Sequence, residues 1–242
     1  MSITFSTAQN NDDEPANLIV PKRVHPFYIV VDESASMQGA PIDAVNAGIK
    51  EMLKEQKNAP ASSGYLYISL IGFSDTAVVH LPMQDLPSAS GVEFEALAGT
   101  QFGPAFELLY RQIPLDIENI RNQGMKPMRP FVFFISDGMP LDEESNWRAS
   151  LDKLTTRTFT YYPLVWSFGF GDIDENTIRK IATVDAYLPE MGSTISPASV
   201  LTQVLATLTK TMLGTVRPAL ESDGAISIPR IQVPGMIRID PL

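Results

Sequence analysis

Two aspartates stand where apolar runs end, and three hydroxyl side chains accompany them. Phe27-Tyr28-Ile29-Val30-Val31 is a continuous apolar run that stops at Asp32, and the run from Phe131 to Ile135 stops at Ser136-Asp137-Gly138. The first continues as Asp32-Glu33-Ser34-Ala35-Ser36. Alternation along an extended loop aims Asp32, Ser34 and Ser36 one way and turns Glu33 and Ala35 the other. Thr100, in Gly99-Thr100-Gln101, brings a third hydroxyl just before a helix, and Asp137 brings the second carboxylate. Such a set suits Mg2+ or Mn2+, which prefer about six hard oxygens near ~2.1 Å and readily keep waters. Taken singly, each signal is ordinary: Ser34 or Ser36 can cap the next helix, and Asp137-Gly138 reads as a turn. Their joint occurrence at three element ends is what points to a metal.

The elements that must position these residues alternate between strands and helices. Phe27–Val31 reads as a central strand buried on both faces. Pro41 to Gln56 places Ile42, Val45, Ile49, Met52 and Leu53 at helical spacing. Tyr65 to Phe73 is the next strand, and Ser74-Asp75 turns into Thr76–Leu81, a hairpin that puts one antiparallel strand at the sheet edge. Pro104–Arg111 reads as a short helix, with a further turn at Ile117–Asn122. Phe131–Ile135 is a strand, Glu143–Leu154 a helix, Leu164–Phe168 a strand, Glu175–Ala182 a helix and Ala186–Leu188 a short last strand. Ser196-Pro197 starts a helix with Val200, Leu201, Val204, Leu205, Leu208 and Met212 on its apolar stripe. The pattern predicts an α/β fold with a doubly wound, mostly parallel sheet and one antiparallel edge strand. In such sheets ligands sit beyond the carboxyl ends of the strands, where Asp32 and Asp137 stand. Residues 1–23 read as an N-terminal arm, 24–214 as one domain, and 215–242, punctuated by Pro218, Pro229, Pro234 and Pro241, as an extension that packs on the domain or meets a partner.

Composition narrows the function. The 242 residues hold no cysteine, which excludes disulfides, zinc ribbons, iron–sulfur clusters and thiol nucleophiles, and fits a reducing compartment. Eighteen Lys and Arg against 28 Asp and Glu give a formal net charge of −10. That field repels phosphate backbones and anionic lipids, so nucleic acid and membrane surfaces are poor partners, whereas cations and basic protein surfaces are favoured. No apolar run approaches the ~20 residues needed to cross a bilayer, and the polar, acidic start of the chain lacks a secretory pattern. A cytoplasmic protein is expected.

Asp32-x-Ser34-x-Ser36, Thr100 after a small residue, and Ser136-Asp137-Gly138 resemble, in order, the three segments of the metal-ion-dependent adhesion site of von Willebrand factor A (VWA) domains. The resemblance covers roughly Val24 to Leu213. Within that family the chain looks most like bacterial cytoplasmic proteins of the tellurium-resistance (TerY-like) group, on the phrases Asp32-Glu33-Ser34-Ala35-Ser36-Met37, Gly39-Ala40-Pro41-Ile42, Phe73-Ser74-Asp75-Thr76-Ala77 and Ser136-Asp137-Gly138-Met139-Pro140. It departs from many relatives in having Ala35 for Gly, and it lacks the cysteine-rich zinc module some of them carry. The resemblance implies a Rossmann-like VWA fold and a non-enzymatic module for metal-dependent protein–protein interaction. Mg2+ or Mn2+ would be held by Asp32, Ser34, Ser36, Thr100 and Asp137, with one position left for an Asp or Glu of a partner protein. It also implies a stress-response setting whose partners include a kinase, a phosphatase or an AAA+ ATPase.

Other features are weaker. Glu33 reads as a charge behind the ligands or at the partner-binding rim, or else as an idle solvated side chain; Phe102 and Met139, beside two ligand loops, read as an apolar rim. Gly169-x-Gly171 lacks a third glycine in place and is read as a tight strand-to-helix connection rather than a dinucleotide loop. His25 and His80, the only histidines, neighbour no serine of Gly-x-Ser-x-Gly type. Two other functions compete. A Mg2+-dependent phosphatase of the haloacid-dehalogenase type needs a second Asp two residues after the first, where this chain has Ser34. A scaffold with a purely structural metal would bind partners through residues 215–242.

Overall fold

The computed structural model describes residues 21–57, 65–171, 173–190, 192–221 and 229–242, with the backbone alone for 56–57 and 215–221. Most of the proposed N-terminal arm, and residues 222–228 of the extension, lie outside the described residues. Strands β1 (Arg23–Asp32), β2 (Leu66–Phe73), β3 (Ala77–Asp85), β4 (Lys126–Pro127), β5 (Phe131–Ser136), β6 (Leu164–Gly169), β7 (Asp185–Pro189) and β8 (Met236–Ile239) form one sheet in the order β3-β2-β1-β5-β6-β7-β8, with β4 paired to β1. Helices α1 (Ala40–Lys57), α2 (Phe102–Asn122), α3 (Glu144–Thr155), α4 (Glu175–Ile181) and α5 (Pro197–Glu221) connect the strands.

Sidedness follows from the strand period of two. On β1, Phe27, Ile29 and Val31 join a core layer with Ile42, Val45 and Ile49 of α1 and Val200, Val204 and Leu208 of α5. Tyr28 and Val30 join the opposite layer with Phe106, Leu109 and Ile113 of α2, Leu151 of α3 and Ile178 of α4. Helices on both faces account for the unbroken apolar runs of β1, β2 and β5, every residue of β2 and β5 being buried. β1, β2, β5, β6 and β7 are mutually parallel, so Asp32 and Asp137 come to the same end of the sheet.

Two expectations, the single antiparallel edge and the broken helix after Pro104, are corrected, while the described part of the extension packs on the domain, one of the two alternatives read for it. The sheet has two antiparallel edges: β3 pairs with β2 as anticipated, and β8, from the C-terminal extension, pairs with β7 at the other side. Ile231, Val233 and Met236 of that extension are buried in the core layer of α1 and α5. Finally, the two helical pieces read at 104–111 and 117–122 are one helix, α2, running through Pro114.

Candidate metal site

Asp32 is the last residue of β1, with no exposed surface. One carboxylate oxygen accepts the backbone N–H of Ser34 at 2.8 Å, which folds the chain back over the strand end, and the other accepts the Ser136 hydroxyl at 2.5 Å. A 3-10 turn, Ala35–Met37, follows. It brings the Ser34 and Ser36 hydroxyls within 2.9 Å of each other, and Ser36 Oγ donates to Asp137 Oδ1 at 2.7 Å. Four of the five residues expected to share a site, Asp32, Ser34, Ser36 and Asp137, are thus joined in one hydrogen-bonded group across β1 and β5.

Thr100 reaches this end by backbone contacts, and among the described residues no hydrogen bond links its hydroxyl to the other four. It is 8 % exposed. Its carbonyl accepts from Leu141 N at 2.7 Å, and the next residue, Gln101, donates its N–H to Ser74 O at 2.7 Å. Gly99 adopts φ +81°, and a Cβ there would lie 1.8 Å from Asp75 Oδ1, so the conformation and the close approach both require glycine. The Thr100 loop is therefore wedged between the β2–β3 turn and the loop that follows Asp137. A carboxylate not singled out from the sequence completes the wedge: Asp142 accepts from Phe102 N at 3.1 Å and from Gly103 N at 2.8 Å.

The electrostatics favour a cation. Burial pushes the Asp32 carboxyl up to about 6; hydrogen bonds from Ser136 and Ser34 pull against that rise, and the Asp137 charge adds to it. No basic group contributes to the balance. Two carboxylates pressed together with hydroxyls, one of them fully buried, are stabilised in ionised form by a divalent cation. Among the described residues no group of three or more His, Cys, Asp or Glu could hold a metal. The candidate donor set is instead two carboxylates with hydroxyls, which fits a hard cation rather than a soft one.

Of the rim residues, only Met139 is exposed, at 46 %; its sulfur lies 3.4 Å from Asp174 N. Glu33 is neither at a rim nor solvated. It is 2 % exposed, its carboxylate pairs with His80 Nε2 at 3.0 Å, and it accepts the N–H of Glu95 at 3.2 Å. The space it fills is left by Gly72, where a Cβ would lie 1.9 Å from Glu33 Oε2. Phe102 has no exposed surface; as the first residue of α2 it turns into the core against Phe73, Phe134 and Trp147. Gly171, in the turn after β6, has φ +68°, and a Cβ there would lie 2.7 Å from Asp137 O, so this glycine lets the turn pack on the Asp137 loop.

No family model and no curated protein matches the chain. Solved structures do. A von Willebrand factor type A protein from Catenulispora acidiphila is 14 % identical with a TM-score of 0.55, over 79 % of this chain and 43 % of that one. The pilus adhesin SpaC from Lactobacillus rhamnosus GG, in its open conformation, is 17 % identical with a TM-score of 0.56, over 81 % and 30 %. Proximal thread matrix protein 1 from the mussel byssus, with a zinc-occupied MIDAS motif, is 14 % identical with a TM-score of 0.54, over 79 % and 48 %. The chain spans less than half the length of each of these solved chains. At such identities the likeness is one of fold: a mostly parallel sheet flanked by helices, as in von Willebrand factor A domains.

Proposed function

We propose that the protein is a non-enzymatic, metal-dependent interaction module that grips an Asp or Glu of a partner protein through a divalent cation. The observation that carries this is the hydrogen-bonded group of Asp32, Ser34, Ser36 and Asp137 at the carboxyl end of the sheet, built around a buried carboxylate with no basic partner among its influences. Asp32, Ser34, Ser36, Thr100 and Asp137 would hold the cation, Mg2+ or Mn2+ on the hardness of these donors. When bound, the cation supplies positive charge and a coordination position for the incoming carboxylate. Asp32 and Asp137 would otherwise repel that carboxylate, so partner binding is expected to switch on with metal.

A phosphatase reading is disfavoured by Ser34, whose hydroxyl is engaged with Ser36 where an acid/base carboxylate would be needed. The scaffold reading is weakened by the described part of the extension, which is spent on the fold as β8 and as core residues Ile231, Val233 and Met236. The likeness to the tellurium-resistance group supports a cytoplasmic stress-response setting, with a kinase, phosphatase or AAA+ ATPase as partner. The test is calorimetric titration with Mg2+ and Mn2+ of the parent and of Asp32→Ala, paired with partner capture in Mg2+ and in chelator. Saturable binding lost in the variant, with capture reversed by chelator, is the expected result. Capture indifferent to chelator and to Asp32→Ala would dismiss the mechanism.

A further inference from the structure

Asp142 belongs to neither aspartate-ended strand and lies outside the five proposed ligands, yet it joins two of their loops. It sits in the segment between Asp137 and α3, while its carboxylate accepts both Phe102 N and Gly103 N, the first two N–H groups of α2. One residue before Asp142 and two before Phe102, Leu141 N donates to Thr100 O. These three hydrogen bonds make a short ladder that ties the Thr100 loop to the Asp137 loop. A helix start leaves its first N–H groups without intrahelical partners and carries partial positive charge, so a carboxylate there is held firmly. Helix α2 has no cap from its own chain neighbour, since the Gln101 side chain makes no capping hydrogen bond; Asp142 supplies that cap from a distant segment.

Gly103 gives a second and independent sign that this contact is built in. A Cβ at that position would lie 2.9 Å from Asp142 Oδ2 and 3.7 Å from the Cα of Trp147. Glycine is a poor helix former, and here it opens the space that the carboxylate occupies.

We infer that Asp142 is a positioning residue for the metal site, acting through Thr100: by clamping the start of α2 to the loop after Asp137, it fixes Thr100 relative to the Asp137 carboxylate. This rests on the metal reading proposed above. Groups that orient ligands without touching the metal are typically worth 10–100-fold in affinity; a loss of about tenfold is expected here.

The test is a double-mutant cycle on Mn2+ affinity, measured by calorimetry on the full chain for the parent, Asp142→Asn, Thr100→Ala and the pair. If Asp142 acts through Thr100, Asp142→Asn weakens Mn2+ binding about tenfold in the parent and changes it less than about twofold when Thr100 is already Ala. A role confined to helix stability would lower thermal stability equally in both backgrounds and leave affinity alone. Gly103→Ala, which crowds the carboxylate without removing it, is the second variant should Asp142→Asn fold poorly, and it is expected to show the same dependence on Thr100. Equal losses of affinity in both backgrounds would overturn the assignment while leaving the metal site intact. A parent that binds no Mn2+ would instead remove the metal reading and this inference with it.

Discussion

His25 is 3 % exposed, packed beside the rings of Phe27 and Phe131, and among the described residues neither of its ring nitrogens has a hydrogen-bond partner. Burial lowers its pKa to about 4. Since the unfolded chain protonates near 6.5, the native state resists protonation, and His25 contributes stability that is complete above pH 6.5 and lost as pH falls toward 4. The span corresponds to about 3 kcal/mol. Asp32 works in the opposite sense, its raised pKa making the metal-free fold less stable as pH rises toward 6, so the parent profile is a sum of opposed slopes. The difference between parent and His25→Leu isolates the histidine: in urea titrations the variant is expected to gain on the parent between pH 6.5 and 4, and parallel profiles would show that His25 is not buried neutral. The residues at the candidate site were unequally legible. Asp32 and Asp137 could be placed because they stand at strand ends, whereas Ser34 and Ser36 meet through a 3-10 turn rather than by the alternation of an extended loop. For Glu33 the rim and solvated readings fail and only a place behind the ligands stays open; the clue was Gly72, a glycine inside a buried strand that leaves room for its carboxylate. Phe102 was misjudged because nearness to Thr100 in sequence says nothing about direction once a helix begins. Asp142 left no local trace at all, since its partners lie 39 and 40 residues away.

At the scale of elements, α1 and α5 cover one face of the sheet, and their approach depends on Gly48. A Cβ there would lie 2.5 Å from Leu205 Cδ1 and 3.0 Å from Leu205 Cβ. The second contact is to an atom anchored at the backbone, so rotating the leucine cannot relieve it. Gly48→Ala improves helix propensity by up to about 1 kcal/mol, but overpacking of this kind costs about 1–3 kcal/mol. A net loss is expected on urea unfolding, together with a Leu205→Ala substitution that costs less in the Gly48→Ala background than in the parent. Additive effects would mean that the helices separate freely. Element boundaries that sequence missed have comparable causes. Pro114 lies in the gap between the two helical pieces read from the sequence, and a proline lacks an N–H and crowds the preceding turn. Helix α2 nevertheless continues, because Ile113, Ile117 and Ile120 stay buried on one side of it. Strand β8 was unreadable because Met236–Ile239 is only four residues long and lies among prolines. Its strand character comes from the edge that β7 offers, where Ala186 to Pro189 pair with Ile239 to Met236.

Charge is divided along the whole molecule in a way that the net figure of −10 conceals. No Lys or Arg stands between Asp32 and Ile49, between Asn58 and Tyr110, between Phe131 and Trp147, between Thr158 and Ile178, or between Ile181 and Thr209. These stretches include the loops at the carboxyl ends of the parallel strands, where Asp32, Asp75, Asp137, Asp142, Glu143 and Glu144 lie. Lys22, Arg23, Lys126 and Arg129 gather at the opposite end, where Arg23 pairs in register with Lys126. The loops holding the candidate metal site are therefore rich in acidic groups, with Lys180 reaching Glu144 at 2.6 Å, and their field concentrates cations there. Two consequences are measurable together. Mg2+ at about 100 times its dissociation constant stabilises the fold by about 2.7 kcal/mol, which for a chain of this size raises Tm by roughly 5–10 °C. Raising ionic strength from ~0.01 M to ~0.1 M shortens the screening length from about 30 Å to about 10 Å, so the apparent Mg2+ affinity is expected to fall several-fold. Replacing Glu143 and Glu144 by Gln should weaken affinity and flatten that salt dependence, whereas Lys126→Glu at the far end should leave both nearly unchanged. An affinity that ignores salt and the Glu143/Glu144 pair would mean that the ligand oxygens alone set it and that the acidic face contributes nothing to metal capture.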